Sequence, residues 1–504
     1  MTIARVFSAQ PDLLGARIVS LETDISRGLH AFSIVGLAGK AIEEARDRVA
    51  SAIKHSGFSS PKSKNHKIII SLAPADLKKE GPLFDLPIAL GYLLAAEEIS
   101  FTPEGRLFAG ELSLSGELRP VKGTLLLAQA AKNNGFTELF IPKENEAEAA
   151  LVDGITVYGV SSLIEIIRHL DHKREDHHKI VPTPTTIATG KWHDGNVRLE
   201  DIKGQELAKR GLIIAAAGRH NSLMMGPPGT GKTMLARAFE SILPPLSLDE
   251  ALEVTAIHSV AGTLTTPLIT RAPFRAPHHT ASYTSLVGGG THPKPGEVTL
   301  AHRGVLFLDE FPEFDRRSID SLRQPLEDRV VTISRIQGTA LFPADFILIA
   351  AMNPHRGGFE GGDIASQVSD AYRKKISGPI LDRIDLSLEV GHVDTETLSE
   401  KRGTTDETAL ARVQIEHARA RQSERLKGRL ARSNAEMTAR DIDDLIQLDS
   451  EVQSLLTTSA EKLLLSPRSY HRLIKVARTI ADLADSDTIC TEHLLEALQY
   501  RIRM

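Results

Sequence analysis

The sequence predicts an α/β fold: a self-contained α/β segment in front, an α/β phosphate-loop core, and a helical C-terminal segment. Three observations predict it. Gly226-Pro227-Pro228-Gly229-Thr230-Gly231-Lys232-Thr233 stands between the apolar run 222–225 and the helix-like run 234–239. Two further apolar runs, 304–308 and 346–352, end in polar residues, as parallel strands buried on both faces do. Strand-like and helix-like runs alternate before residue 170, and from Leu410 onward the pattern is helical throughout.

Bulk properties bound the rest. At 504 residues the chain is too long for one core, and a length prior suggests about three domains. With 41% hydrophobic and 25% charged residues it reads as an ordinary globular protein. A net charge of -5 gives no global pull towards polyanions, so any nucleic-acid site must be local. The one cysteine, Cys490, excludes a disulfide framework or a thiolate zinc cage and suits a reducing compartment. Its apolar surroundings in the sequence predict buried packing. The N-terminus lacks a signal-peptide core, and no run approaches a membrane span. A cytoplasmic protein without membrane contact is expected.

In the front segment, 16–23 and 29–35 alternate apolar and polar around the turn 25–28, which predicts a hairpin. Residues 41–56 carry helical periodicity and stop at Gly57. Strand-like runs at 67–72, 106–109, 138–141 and 155–160 are separated by helical patterns at 87–96, 125–134 and 162–170. Two pieces, Lys79-Glu80-Gly81-Pro82-Leu83-Phe84-Asp85 and Gly116-Glu117-Leu118-Arg119-Pro120-Val121 with Ile141-Pro142-Lys143-Glu144-Asn145, resemble the Lon-protease-like domain, an S5 domain 2-like fold. In that family a nucleophilic serine follows the Gly-Pro, and a lysine base follows the second glycine turn. Here Leu83 stands at the serine position and no lysine falls at the base position, Lys122 being only nearby. A leucine cannot be a nucleophile. The resemblance thus implies a catalytically dead Lon-like domain over 1–170.

Residues 171–196 read as a linker. The charged run 171–179 is followed by the Pro- and Thr-rich 181–186, without periodicity. His172, His177 and His178 lack a carboxylate scaffold and read as solvated rather than metal-binding.

The core follows over 197–395. Glycines in the phosphate loop allow several N–H groups to point at one anion, and the helix after it adds its positive end. Lys232 is expected to reach the β/γ-phosphates and Thr233 to hold Mg²⁺. Asp309 can assist the Mg²⁺ and Glu310 can polarise the attacking water. Asn353, after the second run, can orient that water or simply form the turn before Pro354. Residues 330–342 alternate and turn at Gln337-Gly338, which predicts a hairpin. Arg316, Arg317, Arg323, Arg329 and Arg335 lie on its arms and approaches. They can serve a phosphate backbone or be solvated surface residues. No Asn-Lys-x-Asp guanine signature appears.

Asp201-Ile-Lys-Gly-Gln205, Ala272-Pro-Phe-Arg-Ala-Pro-His-His-Thr280, the stretches 286–296, 300–310 and 375–385, and Val476-Ala-Arg-Thr-Ile-Ala-Asp-Leu483 carry a second resemblance. They are similar to the AAA+ ATPases of the magnesium-chelatase-like group, and within it to the YifB/ComM family. That resemblance implies a homo-hexameric ring with ATP and Mg²⁺ at subunit interfaces, and a helical lid over 396–504. It puts Arg383 at the arginine-finger position and Arg468 at the sensor-2 position. Read alone, Arg383 can equally pair with Asp382 or Asp385. Family members commonly carry a cysteine-rich, zinc-like insertion after the Asn-Pro. Here 355–363 is glycine-rich without cysteine, so no zinc is expected.

The lid segment holds a basic run. Arg412, Arg419, Arg421, Arg425, Lys427, Arg429 and Arg432 face only Glu416 and Glu424 between 412 and 432. Arg419, Arg421, Arg425 and Arg429 are candidates for DNA contact, or else line a solvated helix face. Helices at 441–456, 460–465, 470–484 and 491–502 are expected to complete a bundle. The resemblance implies a ring motor on single-stranded or branched DNA, working in helicase or branch-migration steps of recombination or natural transformation. The alternative is a magnesium-chelatase-type motor subunit that remodels a protein partner. Leu83 argues against an ATP-dependent protease, and Glu310 with Arg383 argues against a mere ATP-binding switch.

Overall fold

The computed structural model describes residues 3–37, 39–63, 65–186, 190–289, 294–335, 338–353, 378–399 and 406–502. Two units emerge, Met1–Thr189 with Ala251–Ile269, and Gly190–Glu250 with Thr270–Met504.

In the first unit, strands Ala4–Asp12 and Gly15–Arg27 form an antiparallel hairpin, and Gly15–Arg27 also pairs antiparallel with His66–Ala73. The expected hairpin of 16–23 with 29–35 does not form. Ala31–Val35 instead lies parallel to His66–Ala73. The reason is the helix Lys40–His55 between them, which supplies the crossover that a parallel pair requires. A small parallel sheet of Arg106–Phe108, Glu138–Pro142 and Thr156–Val160 completes the strand framework. Helix Asp85–Ala95 is buried along nearly its whole length. Leu83, just before it, is part of the apolar core and only 6% exposed.

The polar residues flanking Leu83 serve the fold. Lys79 donates its ammonium to the carbonyls of Gly36 and Leu72, both at 3.0 Å, and to that of Pro74. Burial lifts the Asp85 carboxyl to about 6, even though Arg48 grips it at 2.9 and 3.1 Å.

Residues 171–186, expected as a spacer, are hydrogen-bonded along this unit. His178 N donates to Arg168 O at 3.0 Å, Thr183 N to Val157 O at 2.8 Å, and Thr186 N to Ala150 O at 3.0 Å. The segment Ala251–Ile269, although it comes from the middle of the core sequence, belongs to this unit as well. Ser259 fixes it there, donating to the buried Glu148 at 2.6 Å and accepting from Gly123 N at 2.8 Å.

The second unit is organised on a parallel sheet in the order Phe274–Arg275, Val305–Leu308, Ile347–Met352, Ser222–Met225, Leu386–Glu389. The acid-bearing strand Val305–Leu308 does not adjoin the phosphate-loop strand Ser222–Met225. Ile347–Met352 lies between them, so Asn353 rather than Asp309 is the strand-end neighbour of the loop. All six residues of Ile347–Met352 are buried, as a central parallel strand requires.

Helices Glu407–Arg425, Ala439–Leu445, Ser450–Lys462, Pro467–Leu483 and Thr491–Gln499 follow. The expected helix over 441–456 is two helices. Asp449 accepts from Val452 N at 2.9 Å and so starts the second one afresh. Lys209 pairs with Glu407 at 2.8 Å and Thr408 accepts from Leu199 N at 3.0 Å, tying this layer to the sheet layer. Cys490 is half-buried at the N-cap of Thr491–Gln499, not packed in a core. Among the described residues no helix is long and apolar enough to cross a membrane.

Candidate nucleotide site

The site forms where four of the parallel strands end. Ser222–Met225 runs into Gly226, where a Cβ would meet Val390 O at 2.0 Å, so only glycine allows this approach. Gly231, at φ 92°, is the N-cap of Lys232–Ser241, and no side chain caps that helix. The first N–H groups of a helix have no intrahelical acceptor. With no side chain taking them, they suit an anion, and the residues present fit a nucleotide phosphate.

Lys232 bends back into the loop. Its buried ammonium donates to Gly226 O at 2.8 Å, Pro227 O at 2.6 Å and Asn353 Oδ1 at 2.9 Å. Burial pushes its pKa down, opposed by the charge of Asp309. Thr230 Oγ1 also donates to Pro227 O, at 2.9 Å, stiffening the loop. Asn353 is therefore an acceptor on the loop lysine, a contact that a bare turn-former would not make. Pro228 and Gly229 complete the loop between them.

Asp309 and Glu310 stand just beyond the strand Val305–Leu308. Asp309 Oδ2 accepts from Thr233 Oγ1 at 2.9 Å, and Oδ1 accepts from Glu310 N at the same distance. A hydroxyl and a carboxylate so paired can share one divalent cation, which makes Thr233 and Asp309 the residues able to hold Mg²⁺. Glu310 turns away from that pair in a left-handed conformation, φ 50°. Its carboxylate meets His279 Nδ1 at 3.1 Å. His279 follows the strand Phe274–Arg275, parallel neighbour of Val305–Leu308. The sequence offered no sign of this partnership beyond two adjacent histidines.

Arg383 pairs with neither Asp382 nor Asp385. It donates to Glu327 and to Pro379 O, and Arg468 donates to the same Glu327 at 3.2 Å. Asp385 is committed elsewhere, accepting from His220 Nδ1 at 3.3 Å and from Asn221 N at 3.2 Å. Burial acts to raise the Asp385 pKa, but His220, Arg472 and Lys475 hold it below the usual value. Asn221 donates to Arg383 O at 2.9 Å, and His220 Nε2 lies 2.8 Å from Thr479 on the helix that begins beside Arg468. One buried chain of contacts thus joins the start of the phosphate-loop strand to both arginine-bearing segments.

The hairpin is present as Val330–Arg335 paired with Gly338–Pro343, register Arg335↔Gly338. Most of its expected arginines have internal partners. Arg316 and Arg317 lie on the short helix Arg316–Ser321, with Arg317 stacked over Tyr283. Arg323 pairs with Asp320 at 2.7 Å. Arg329 pairs with Glu436 at 2.7 Å, in a buried cluster where Arg303 and Arg219 hold Asp345 at 2.5 and 3.1 Å.

Five of the seven cations of the basic run 412–432 have partners within the fold. Arg412 lies over Trp192 and pairs with Asp194 at 3.0 Å. Arg419 donates to Ala216 O at 2.7 Å, and Arg421 pairs with Asp485 at 2.7 Å. Arg425 bonds Asp482 and Asn434, and Arg429 pairs with Asp444 at 3.0 Å. The partners at 434–444 and 482–487 lie outside the window in which local acids were counted. The glycine-rich stretch 355–363 lies outside the described residues.

Residues 198–398 match the family of magnesium chelatase, subunit ChlI. Residues 21–145 match the subunit ChlI of Mg-chelatase, and 405–501 the C-terminal part of subunit ChlI. The competence protein ComM of Haemophilus influenzae is 42% identical over 513 residues, spanning 99% of this chain and 98% of its own. YifB of Escherichia coli K12 is 42% identical over 489 residues, 96% and 94% of the two chains. The magnesium-chelatase 67 kDa subunit of Heliobacterium mobile is 27% identical over 228 residues, 38% of this chain and 32% of that one.

Proposed function

The chain belongs to the magnesium-chelatase-like YifB/ComM family, and we propose that within it the protein is an ATP-hydrolysing ring motor that acts on DNA. The observation that carries the ATPase part is the meeting of Lys232 with Asn353, and of Thr233 with Asp309, at one edge of a parallel sheet. Gly226 to Thr233 hold the phosphates, and Thr233 with Asp309 hold Mg²⁺. The bound Mg²⁺–ATP supplies the phosphoryl group and neutralises part of its charge. Glu310 takes the proton of the attacking water once released from His279. Lys232 and Asn353 face the terminal phosphate, and Arg383 and Arg468 serve the site of a neighbouring copy in a homo-hexamer.

In this reading the front residues 1–170 keep a Lon-protease-like architecture without its chemistry, since Leu83 is apolar and buried. Residues 396–504 are the lid of the ATPase core. The protein works in the cytoplasm, on single-stranded or branched DNA, in helicase or branch-migration steps. Similarity to a competence protein along nearly the whole chain supports placing these steps in natural transformation. The chelatase-subunit reading has weaker support, because that similarity covers only 38% of this chain.

With most lid arginines internally paired, the DNA contact falls to the hairpin, where Arg335 closes the strand beside the turn. Arg335→Ala is expected to weaken DNA binding and to lower its salt slope by about 1. Fluorescence anisotropy of labelled single-stranded and four-way-junction DNA at several salt concentrations measures both. An unchanged affinity and slope would remove the hairpin from the interface, and no binding of any DNA by the full chain would remove DNA from the function.

A further inference from the structure

We propose that Arg383 and Arg468 together form one receiver for a phosphoryl group, filled in the lone chain by the carboxylate of Glu327. That carboxylate has to leave when the terminal phosphate of a nucleotide held by a second copy arrives. The inference rests on the reading of the two arginines given above.

Glu327 lies on the short helix Arg323–Asp328. Its two oxygens are divided between the guanidiniums: Oε1 accepts from Arg468 at 3.2 Å and Oε2 accepts from Arg383. Two cations on separate oxygens of one anion is the donor arrangement that a phosphoryl group also accepts, with more charge and one more oxygen. The extra oxygen has a use. Among the described residues the buried Nε of Arg383 finds no acceptor, so the carboxylate leaves a donor unfilled.

Arg468 is not placed for helix stability. It occupies the first turn of Pro467–Leu483, where the helix dipole disfavours a cation, and its side chain is 58% exposed. Glu327 is half-exposed and its pair with Arg468 is open to water, so an anion arriving from outside can reach and exchange with its carboxylate even though the Arg383 side chain is only 13% exposed. A carboxylate and a phosphate cannot share the site, because adjacent anions repel. Glu327 is therefore a competing anion that keeps the arginines neutralised until a partner's nucleotide displaces it.

The test is ATP turnover per chain across a range of protein concentrations, for the full chain, Glu327→Gln and Arg383→Ala, with ring assembly followed by light scattering. Glu327→Gln keeps the shape and removes the charge. It is expected to reach half-maximal turnover at about two- to five-fold lower protein concentration, with the same plateau. Superimposable curves would overturn the proposal. So would a lowered plateau, which would make Glu327 a support for the arginines instead of a competitor. The Arg383→Ala arm separates the two levels. A normal plateau there refutes the underlying reading of the arginines, whereas a lost plateau beside an unmoved Glu327→Gln curve refutes only the role of Glu327.

Discussion

Arg383→Ala is expected to lower ATP turnover by about 10³–10⁵-fold, the range for removing an arginine that stabilises a transferring phosphoryl group. Nucleotide binding should persist, because among the described residues the Arg383 guanidinium donates to Glu327 and Pro379 O and not to the phosphate loop or Lys232, and its link to Asn221 runs through its backbone carbonyl, which alanine keeps. The structure shows why the loss should not come from misfolding. Arg383's guanidinium meets an exposed carboxylate, while the loop that carries it is anchored by its backbone to Asn221 and by the buried Asp385 to His220. Equilibrium binding of a fluorescent ATP analogue and steady-state turnover separate the two effects. Loss of binding along with turnover would mean that Arg383 supports the fold of its own site.

Glu310→Gln is expected to lower turnover by about 10²–10⁴-fold, the range for removing a general base, again with ATP retained. Glutamine can still meet His279 but cannot take a proton from water. The two variants give a sharper result together than apart. Mixed in equal amounts and allowed to reassemble, they should regain a fraction of wild-type turnover. Sites in which an Arg383→Ala chain binds ATP next to a Glu310→Gln chain would have both an intact Glu310 and an intact Arg383. No recovery on mixing would place Arg383 in the service of its own chain's nucleotide.

What the sequence made legible is what lies close together along it. The phosphate loop, the acids after 304–308 and the helix Lys232–Ser241 are each contained within a short continuous stretch, and motif spacing and periodicity reveal them. The contact of Lys232 with Asn353 depends instead on strand order, because Ile347–Met352 inserts between the other two strands. Parallel-sheet order is set by crossovers and core packing, which leave no local trace.

The same limit explains the basic run. Arg425 meets Asp482 from 57 residues away and Arg421 meets Asp485 from 64, so a count of neighbouring acids misses the partners these arginines have. Glu327 lies 56 residues from Arg383 and 141 from Arg468, and nothing in its own surroundings marks it. In the front unit the hairpin went to the wrong partners, because alternation marks a strand but not the direction of its neighbour. Leu83, by contrast, was decided by residue identity alone, and its burial is what an apolar side chain at that position dictates.

The central claim, an ATP-driven motor that works on DNA, meets its most direct test in ATP turnover by the full chain. It is measured alone and with single-stranded, duplex and four-way-junction DNA, with Lys232→Ala as the blank. Turnover that rises with single-stranded or branched DNA, and a blank that shows neither basal nor stimulated activity, is the expected result. Turnover that is the same with every DNA as without it would contradict the account and point to a protein as the motor's substrate.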